Sequence, residues 1–274
     1  MEHRKLAFIG AGNMSRSLIS GLIQAGYPAD LIIAANPSFP KLDGLAAEFG
    51  IATTQDNADA AARAEVLVLA VKPQMMAAML AKLVQTTGGL QGKLLISIAA
   101  GISLDRLEQM TGGHDRLIRT MPNTPSLLGL GMTGLYAKPH IGQADRDYCE
   151  QMMQAVGKTL WVGAEDGINQ VIAAAGSAPA YFFLFMEAMA EEAQKRGFSA
   201  AEARLLVQQT ALGAAQMVAA NPQLSLAELR AQVTSKGGTT AEAIRCFQEQ
   251  GLAPLVSQAM AAAVARAREL ETQL

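Results

Sequence analysis

Charge, aromatic rings and cysteine are all scarce in this chain. Only 17% of its 274 residues are charged and the formal net charge is −2, so it lacks the basic excess that binds nucleic acid or anionic lipid. Its two cysteines, Cys149 and Cys246, stand far apart and without metal-like spacing. That excludes a disulfide framework and a zinc knuckle; no metal site is expected, and both thiols are read as reduced and packed on helices. Histidine is as rare, and His3, His114 and His140 fall at a disordered end or in turns, where a surface role outweighs a catalytic one. Residues 171–186 carry no charge, yet Gly176, Ser177 and Pro179 interrupt them and Glu187, Glu191 and Glu192 follow. This stretch is read as a core or dimer helix rather than a membrane span. Residues 1–5 lead straight into an apolar strand without the longer apolar core and cleavage site of a signal peptide, so export is not expected and the cytoplasm is. What the chain has in plenty is apolar residues, 50% of the total, enough for extensive burial and two domains.

The apolar pattern changes once along the chain. Up to about Gly163 short apolar runs alternate with helical stripes. Strands are expected near 5–10, 31–35, 65–71, 93–98, 116–121, 131–137 and 158–162, with helices beginning near Met14, Ser38, Pro73, Ser103 and Gln143. Such alternation predicts a doubly wound, mainly parallel sheet of Rossmann type over residues 1–163. Beyond it everything reads as helix: 165–195, broken near Pro179, then 199–220, 225–231, 239–250 and 252–272, with Gly197, Asn221-Pro222 and Gly251 as stops. Residues 164–274 are therefore expected to form an all-helical domain. Its small-residue stretches at 173–176 and 211–215 suit close packing against a second copy.

Two motifs carry chemistry. After the first strand comes Gly10-Ala11-Gly12-Asn13-Met14-Ser15, then a helical stripe through Leu18, Ile19 and Leu22. Strand, glycine turn and helix is the context of a dinucleotide site, in which the turn approaches the pyrophosphate and the helix start supports its charge. The second strand ends in Asn36-Pro37-Ser38 with no acid to take ribose hydroxyls. Nothing there repels a 2′-phosphate, Ser38 can bond it and Lys41 is close in sequence, which favours NADPH over NADH. The run at 66–71 ends in Lys72-Pro73, where a parallel strand delivers its carboxyl end to a ligand. The candidate cofactor contacts are thus Ile9, Gly10, Ala11, Gly12, Asn13, Met14, Asn36, Ser38, Ala70, Val71, Lys72 and Pro73. The second motif, Thr234-Ser235-Lys236-Gly237-Gly238-Thr239-Thr240 before a helical stripe, suits a small carboxylate at a helix start, with hydroxyls beside it. The plain alternative is a capped helix after a glycine turn.

The pattern T-S-K-G-G-T-T-A-E-A resembles the signature of pyrroline-5-carboxylate reductase, and so do A-V-K-P-Q at 70–74 and M-P-N-T-P at 121–125. Lys236 departs from the proline more usual there, Ala178 stands where glycine is usual, and the common arginine after the second strand is missing. The resemblance implies reduction of the C=N bond of 1-pyrroline-5-carboxylate by a nicotinamide cofactor to give proline, the last step of proline biosynthesis. It adds Asn57 and Asn123 to the cofactor contacts. It implies that Ser235, Gly237, Gly238 and Thr239 hold the substrate carboxylate while Thr240 meets the ring nitrogen as the catalytic hydroxyl. It also implies a homodimer, in which the helical domain of one subunit lends its substrate loop to the cofactor domain of the other, and in some members rings of dimers. The main rival, a β-hydroxyacid dehydrogenase, needs a lysine on the long interdomain helix, and none occurs between Lys158 and Lys195. A non-catalytic dinucleotide sensor would have no use for the second motif.

Overall fold

In the computed structural model, which describes residues 2–273, the chain divides into two compact units. One comprises the residues up to Ser177 together with those from Ala263 onward; the other is Ala178–Ala262. The change of pattern near Gly163 marks the last strand, but the first unit continues past it and takes back the end of the chain. Its strands are β1 (Leu6–Ile9), β2 (Ile32–Ala35), β3 (Ala52–Thr54), β4 (Val66–Leu69), β5 (Leu94–Ser97), β6 (Leu117–Met121), β7 (Gly131–Ala137) and β8 (Gly157–Trp161). They form one sheet in the order β3-β2-β1-β4-β5-β6-β7-β8. The first six run parallel, β7 turns antiparallel to β6, and β8 runs parallel to β7.

Every residue of β1, β2, β4 and β5 is buried, as runs such as Val66-Leu67-Val68-Leu69 require when helices cover both faces. Alternation splits the core accordingly: Leu6 and Phe8 pack on one side with Leu18, Leu22 and Met152, and Ala7 and Ile9 on the other with Leu80 and Leu107. The covering helices are α1 (Asn13–Gln24), α2 (Phe39–Phe49), α3 (Asn57–Arg63), α4 (Pro73–Thr87), α5 (Leu104–Met110) and α6 (Gln143–Gln154). Proline in the first turn starts α2 and α4, where its missing N–H costs nothing. The strand β3 and the helix α3 were not expected from the sequence. Ala52-Thr53-Thr54 is three residues long, half-buried and without an apolar run.

The expected helix at 165–195 is three pieces: α7 (Gly167–Val171), a π-helical turn (Ile172–Gly176) and α8 (Ala178–Lys195). The break precedes Pro179, which lies in the first turn of α8. The second unit continues with α9 (Ala200–Ala220), α10 (Leu226–Gln232), α11 (Thr239–Glu249) and the first half of α12 (Leu252–Gln273). Capping boxes, Ser199 with Glu202 and Ser225 with Glu228, start α9 and α10. Burial is otherwise sparse. Of the 18 residues in α8 only Ala178 is buried, and Phe182, Leu184 and Leu205 are 68%, 66% and 65% exposed. A groove of about 580 Å³ lined by Phe183, Met186, Ala190 and Val207 opens on this unit. The segment Gly167–Lys195 is long and apolar enough to cross a membrane by length and composition alone.

Candidate active site

The sheet's parallel register brings the predicted cofactor residues to one edge. Ile9 stands opposite Ala35 on one side and Leu69 on the other, so the turn at Gly10, the loop at Asn36 and the segment at Ala70 leave the sheet side by side, where the strand order reverses around β1. Such switch points are where open α/β sheets bind ligands. Gly10 has φ +112°, and a Cβ there would lie 2.6 Å from the Ala70 carbonyl oxygen and 3.1 Å from the Val71 nitrogen. No other residue fits that position. The Gly10 N–H donates to the Ala35 carbonyl at 2.8 Å.

Gly12 caps α1 in extended conformation, without a side-chain cap, and a Cβ added there would face open space. The first-turn amides of Asn13 and Met14 are thus offered outward at the positive end of the helix dipole, as a pyrophosphate needs. Ser15, read from sequence only as a small residue, has a further role: its Oγ donates to the Gly10 carbonyl at 2.7 Å and so pins the turn. Asn36 also acts on the turn. Its Oδ1 accepts from the Ala11 N–H at 3.3 Å and its Nδ2 donates to the Ser38 carbonyl at 3.4 Å, which ties the glycine turn to the loop beyond β2. That loop is held again by Gln55, whose Nε2 donates to the Pro37 carbonyl at 2.7 Å. Ser38 and Lys41 are exposed at the start of α2. Asn57 opens α3 behind Asp56, which caps that helix by accepting from the Ala58 N–H at 2.8 Å. Lys72 is the exposed N-cap residue of α4, with Pro73 behind it.

Asn123 follows β6 at the same edge, but its side chain is only 8% exposed. Its Oδ1 accepts from the Met132 N–H at 2.9 Å and its Nδ2 donates to the Ala175 carbonyl at 3.0 Å. A group with no expectation from the sequence is Arg119 on β6, 1% exposed. It pairs with Glu165 at 2.9 Å and with Glu271 of α12 at 2.7 Å; the latter is a close ion pair without an aligned hydrogen bond. Glu165 also accepts from the Leu104 N–H at 2.7 Å, and Glu271 from Asn169 Nδ2 at 3.2 Å. Beside them Arg268 reaches both carboxylate oxygens of Asp166, at 2.8 and 2.7 Å.

In the helical unit, the predicted substrate residues form one feature. Residues 235–238 make a tight turn closed by the Gly238 N–H donating to the Ser235 carbonyl at 3.0 Å, with Gly237 at φ +73°. Glycine at the third position and proline at the second are what such a turn favours, and Lys236 occupies the second. A Cβ at Gly238 would lie 2.5 Å from Ser235 Oγ. Gly238 then caps α11 with no side-chain cap, leaving the amides of Thr239 and Thr240 to face outward from an exposed first turn. An anion with two or three acceptors matches that arrangement. Thr234 is not available to it in the same way, because its Oγ1 donates back to the Arg230 carbonyl at 2.6 Å.

The remaining candidates stand aside. His3 is not at a disordered end but packs edge-on against Tyr27, centroids 4.8 Å apart. His114 has its Nε2 3.0 Å from the Lys93 carbonyl oxygen, and burial lowers its pKa. His140 meets the Asp115 carbonyl at 3.1 Å. Cys149 is packed as expected, and burial pushes its thiol well up; Cys246 is exposed, contrary to expectation, because α11 has no buried residue. Tyr181 is 37% exposed on α8.

Comparison with known proteins supplies the context for this edge and this loop. Residues 165–270 match the family model for pyrroline-5-carboxylate reductase dimerisation, and residues 5–101 that for coenzyme F420-dependent NADP oxidoreductase. The chain is 58% identical over 271 residues to a pyrroline-5-carboxylate reductase of Vibrio alginolyticus, covering 99% of each. Among solved structures it resembles a pyrroline-5-carboxylate reductase from Coxiella burnetii, with 40% identity, TM-score 0.92 and coverage of 98% of this chain and 99% of that one. It also resembles pyrroline carboxylate reductase of Plasmodium falciparum with NADP bound, at 27% identity, TM-score 0.85 and 99% coverage of both.

Proposed function

The chain belongs to the pyrroline-5-carboxylate reductase family, and from that premise we propose that it reduces 1-pyrroline-5-carboxylate to proline with NADPH. It is an NADP-dependent oxidoreductase of proline biosynthesis, and its helical portion is a dimerisation domain. We assign the reaction to the cytoplasm and allow for dimers assembling into larger rings.

The observation that carries the reading is a pair of uncapped helix starts behind glycine turns, at α1 and at α11. The first suits a pyrophosphate and the second a small carboxylate. In this reading Gly10, Gly12 and the amides of Asn13 and Met14 carry the pyrophosphate, while Ile9, Ala11, Asn36, Asn57, Ala70, Val71, Lys72 and Pro73 shape the edge along which the dinucleotide lies. Ser38 and Lys41 take the 2′-phosphate. When bound, the nicotinamide supplies the hydride, and the protein's part is position and electrostatics.

The amides around Gly237 and Gly238, with Ser235 and Thr239, hold the substrate carboxylate through charge-assisted hydrogen bonds of about 1.5–3 kcal/mol each. Thr240 then orients the ring nitrogen. Its hydroxyl titrates far above neutrality, so it directs the imine and leaves proton supply to a protonated imine or to water. Purified protein mixed with the cyclic imine and NADPH should consume reduced cofactor. Absence of turnover with either nicotinamide would remove the proposal, and an unchanged rate in Thr240→Ala would remove the role given to that hydroxyl.

A further inference from the structure

The chain passes between its two units twice, at Ser177 to Ala178 and within α12 at Ala262 to Ala263. On the sheet side, both passages are fastened to residues 119–123, the end of β6 and the start of its loop. We infer that Asn123 and Arg119 are positioning residues, which act on turnover by fixing these two attachments rather than by touching cofactor or substrate. This rests on the reductase reading, because it concerns the alignment that hydride transfer demands.

The first attachment has a specific chemical cause. In a continuing α-helix the Ala175 carbonyl would accept from the N–H of residue 179, but that residue is Pro179 and has none. Here the backbone widens into the π-turn closed by the Ser177 N–H on the Ile172 carbonyl at 2.8 Å. Asn123 Nδ2 supplies a donor to Ala175 from β6's loop, and the same amide's Oδ1 is fixed by the Met132 N–H of β7. Both ends of the Asn123 amide are thus engaged inside the sheet unit at the point where the chain leaves it. Cofactor edge and departure point share a single side chain.

The second attachment is ionic. Arg119 is buried and its fork meets Glu165, just before α7, and Glu271 on α12. Asn169 on α7 adds its hydrogen bond to Glu271, and Arg268 closes on Asp166 one turn earlier in α12. A guanidinium with two carboxylates in a shielded setting holds geometry better than an exposed pair. The returning end of α12 is therefore locked to the strand whose loop carries Asn123.

The test uses the full-length protein and separates binding from turnover. For Asn123→Ala we expect kcat to fall about tenfold while the NADPH Kd, read by fluorescence quenching, stays within about twofold of the parent. Hydrogen exchange in residues 172–180 should rise. Adding Pro179→Ala gives Ala175 a donor within its own helix, so the double variant should recover much of the lost rate and protection. Asn123→Asp, which keeps the acceptor for Met132 and loses the donor to Ala175, replaces Asn123→Ala if that variant does not fold. A rise of about tenfold in NADPH Kd with unchanged kcat would make Asn123 a cofactor ligand and overturn the inference. A lowered melting temperature with parental kcat, Kd and exchange at 172–180 would reduce it to ordinary stability. Glu271→Ala should raise exchange at 263–273 and lower kcat; no change in either removes Arg119. Should the parent itself fail to reduce the imine, the function falls separately. The exchange at 172–180 and its suppression by Pro179→Ala then decide the inference.

Discussion

Both units of this chain are rich in apolar residues but differ in what covers them. The sheet unit buries whole strands between its own helices, so Leu6, Phe8, Leu67 and Leu95 have no exposed surface. In the helical unit α8 buries one residue and α11 none, while Phe182, Phe183 and Leu184 each expose more than half their surface. Contiguous apolar surface on that scale is a feature of subunit contacts. The first unit closes its core internally, whereas the second is half of a core that a second copy completes, in line with the dimerisation model it matches. The same contrast explains why residues 167–195 pass a length test for crossing a membrane: an interface helix viewed in one chain shows the same uncovered apolar surface.

The strongest way to break this comparison is to charge the uncovered face. Phe182→Glu combined with Leu205→Glu should convert the dimer to a monomer by light scattering, with turnover lost by about a hundredfold or more and NADPH binding retained. A fully dimeric double variant would mean that these faces are not the contact. The matching change in the sheet unit, Leu67→Ala, should leave the dimer intact and cost about 2–5 kcal/mol in a denaturant titration, because the cavity cannot collapse between two helical layers. Persistence of parental stability there would deny that the sheet core is closed.

A third experiment probes the ionic seam of the sheet unit. Burial alone would raise the Asp145 carboxyl, but Arg116 and Arg4, at 2.6 and 2.7 Å, together hold it below its usual value of 3.8. A depressed carboxylate gives stability that is full above the unfolded value and lost as pH falls through the folded one. The melting-temperature gap between the parent and Asp145→Asn should therefore be constant above about pH 4 and shrink in stronger acid. A gap independent of pH would show that the seam acts through packing. The smallest effect is expected at Lys236, second in the turn that precedes α11. Lys236→Pro should stabilise by about 0.4–1 kcal/mol through the unfolded chain, with the Km for the imine unchanged. Destabilisation would mean that the backbone at 236 cannot take proline.

What the sequence disclosed follows from where its signals are local. Buried parallel strands appear as apolar runs, so β1, β4 and β5 were legible to within a residue or two. Gly10 and Gly237 announce turns that only glycine makes. The short β3 has no such run because Thr53 and Thr54 lie half-buried near the sheet's edge. The roles of Asn36 and Asn123 were hidden for a different reason: each bonds backbone groups distant in the chain, Ala11 for one and Met132 and Ala175 for the other. Arg119 sits inside an apolar strand, and its partners come from α7's threshold and from α12. Proline at 179 was read as a helix break, yet the backbone widens before it, since the missing N–H is felt by the carbonyl four residues earlier.

The lock between α7 and α12 also bears on the order in which the protein can mature. Asp166 and Asn169 each find a partner 102 residues further along. At a translation rate of about 5–20 residues per second, the emerging β-sheet waits about 5–20 s for the helix that neutralises its buried arginine. During that interval Arg119 has Glu165 alone, and the nascent Rossmann layer stays unsealed on the ribosome until α12 arrives.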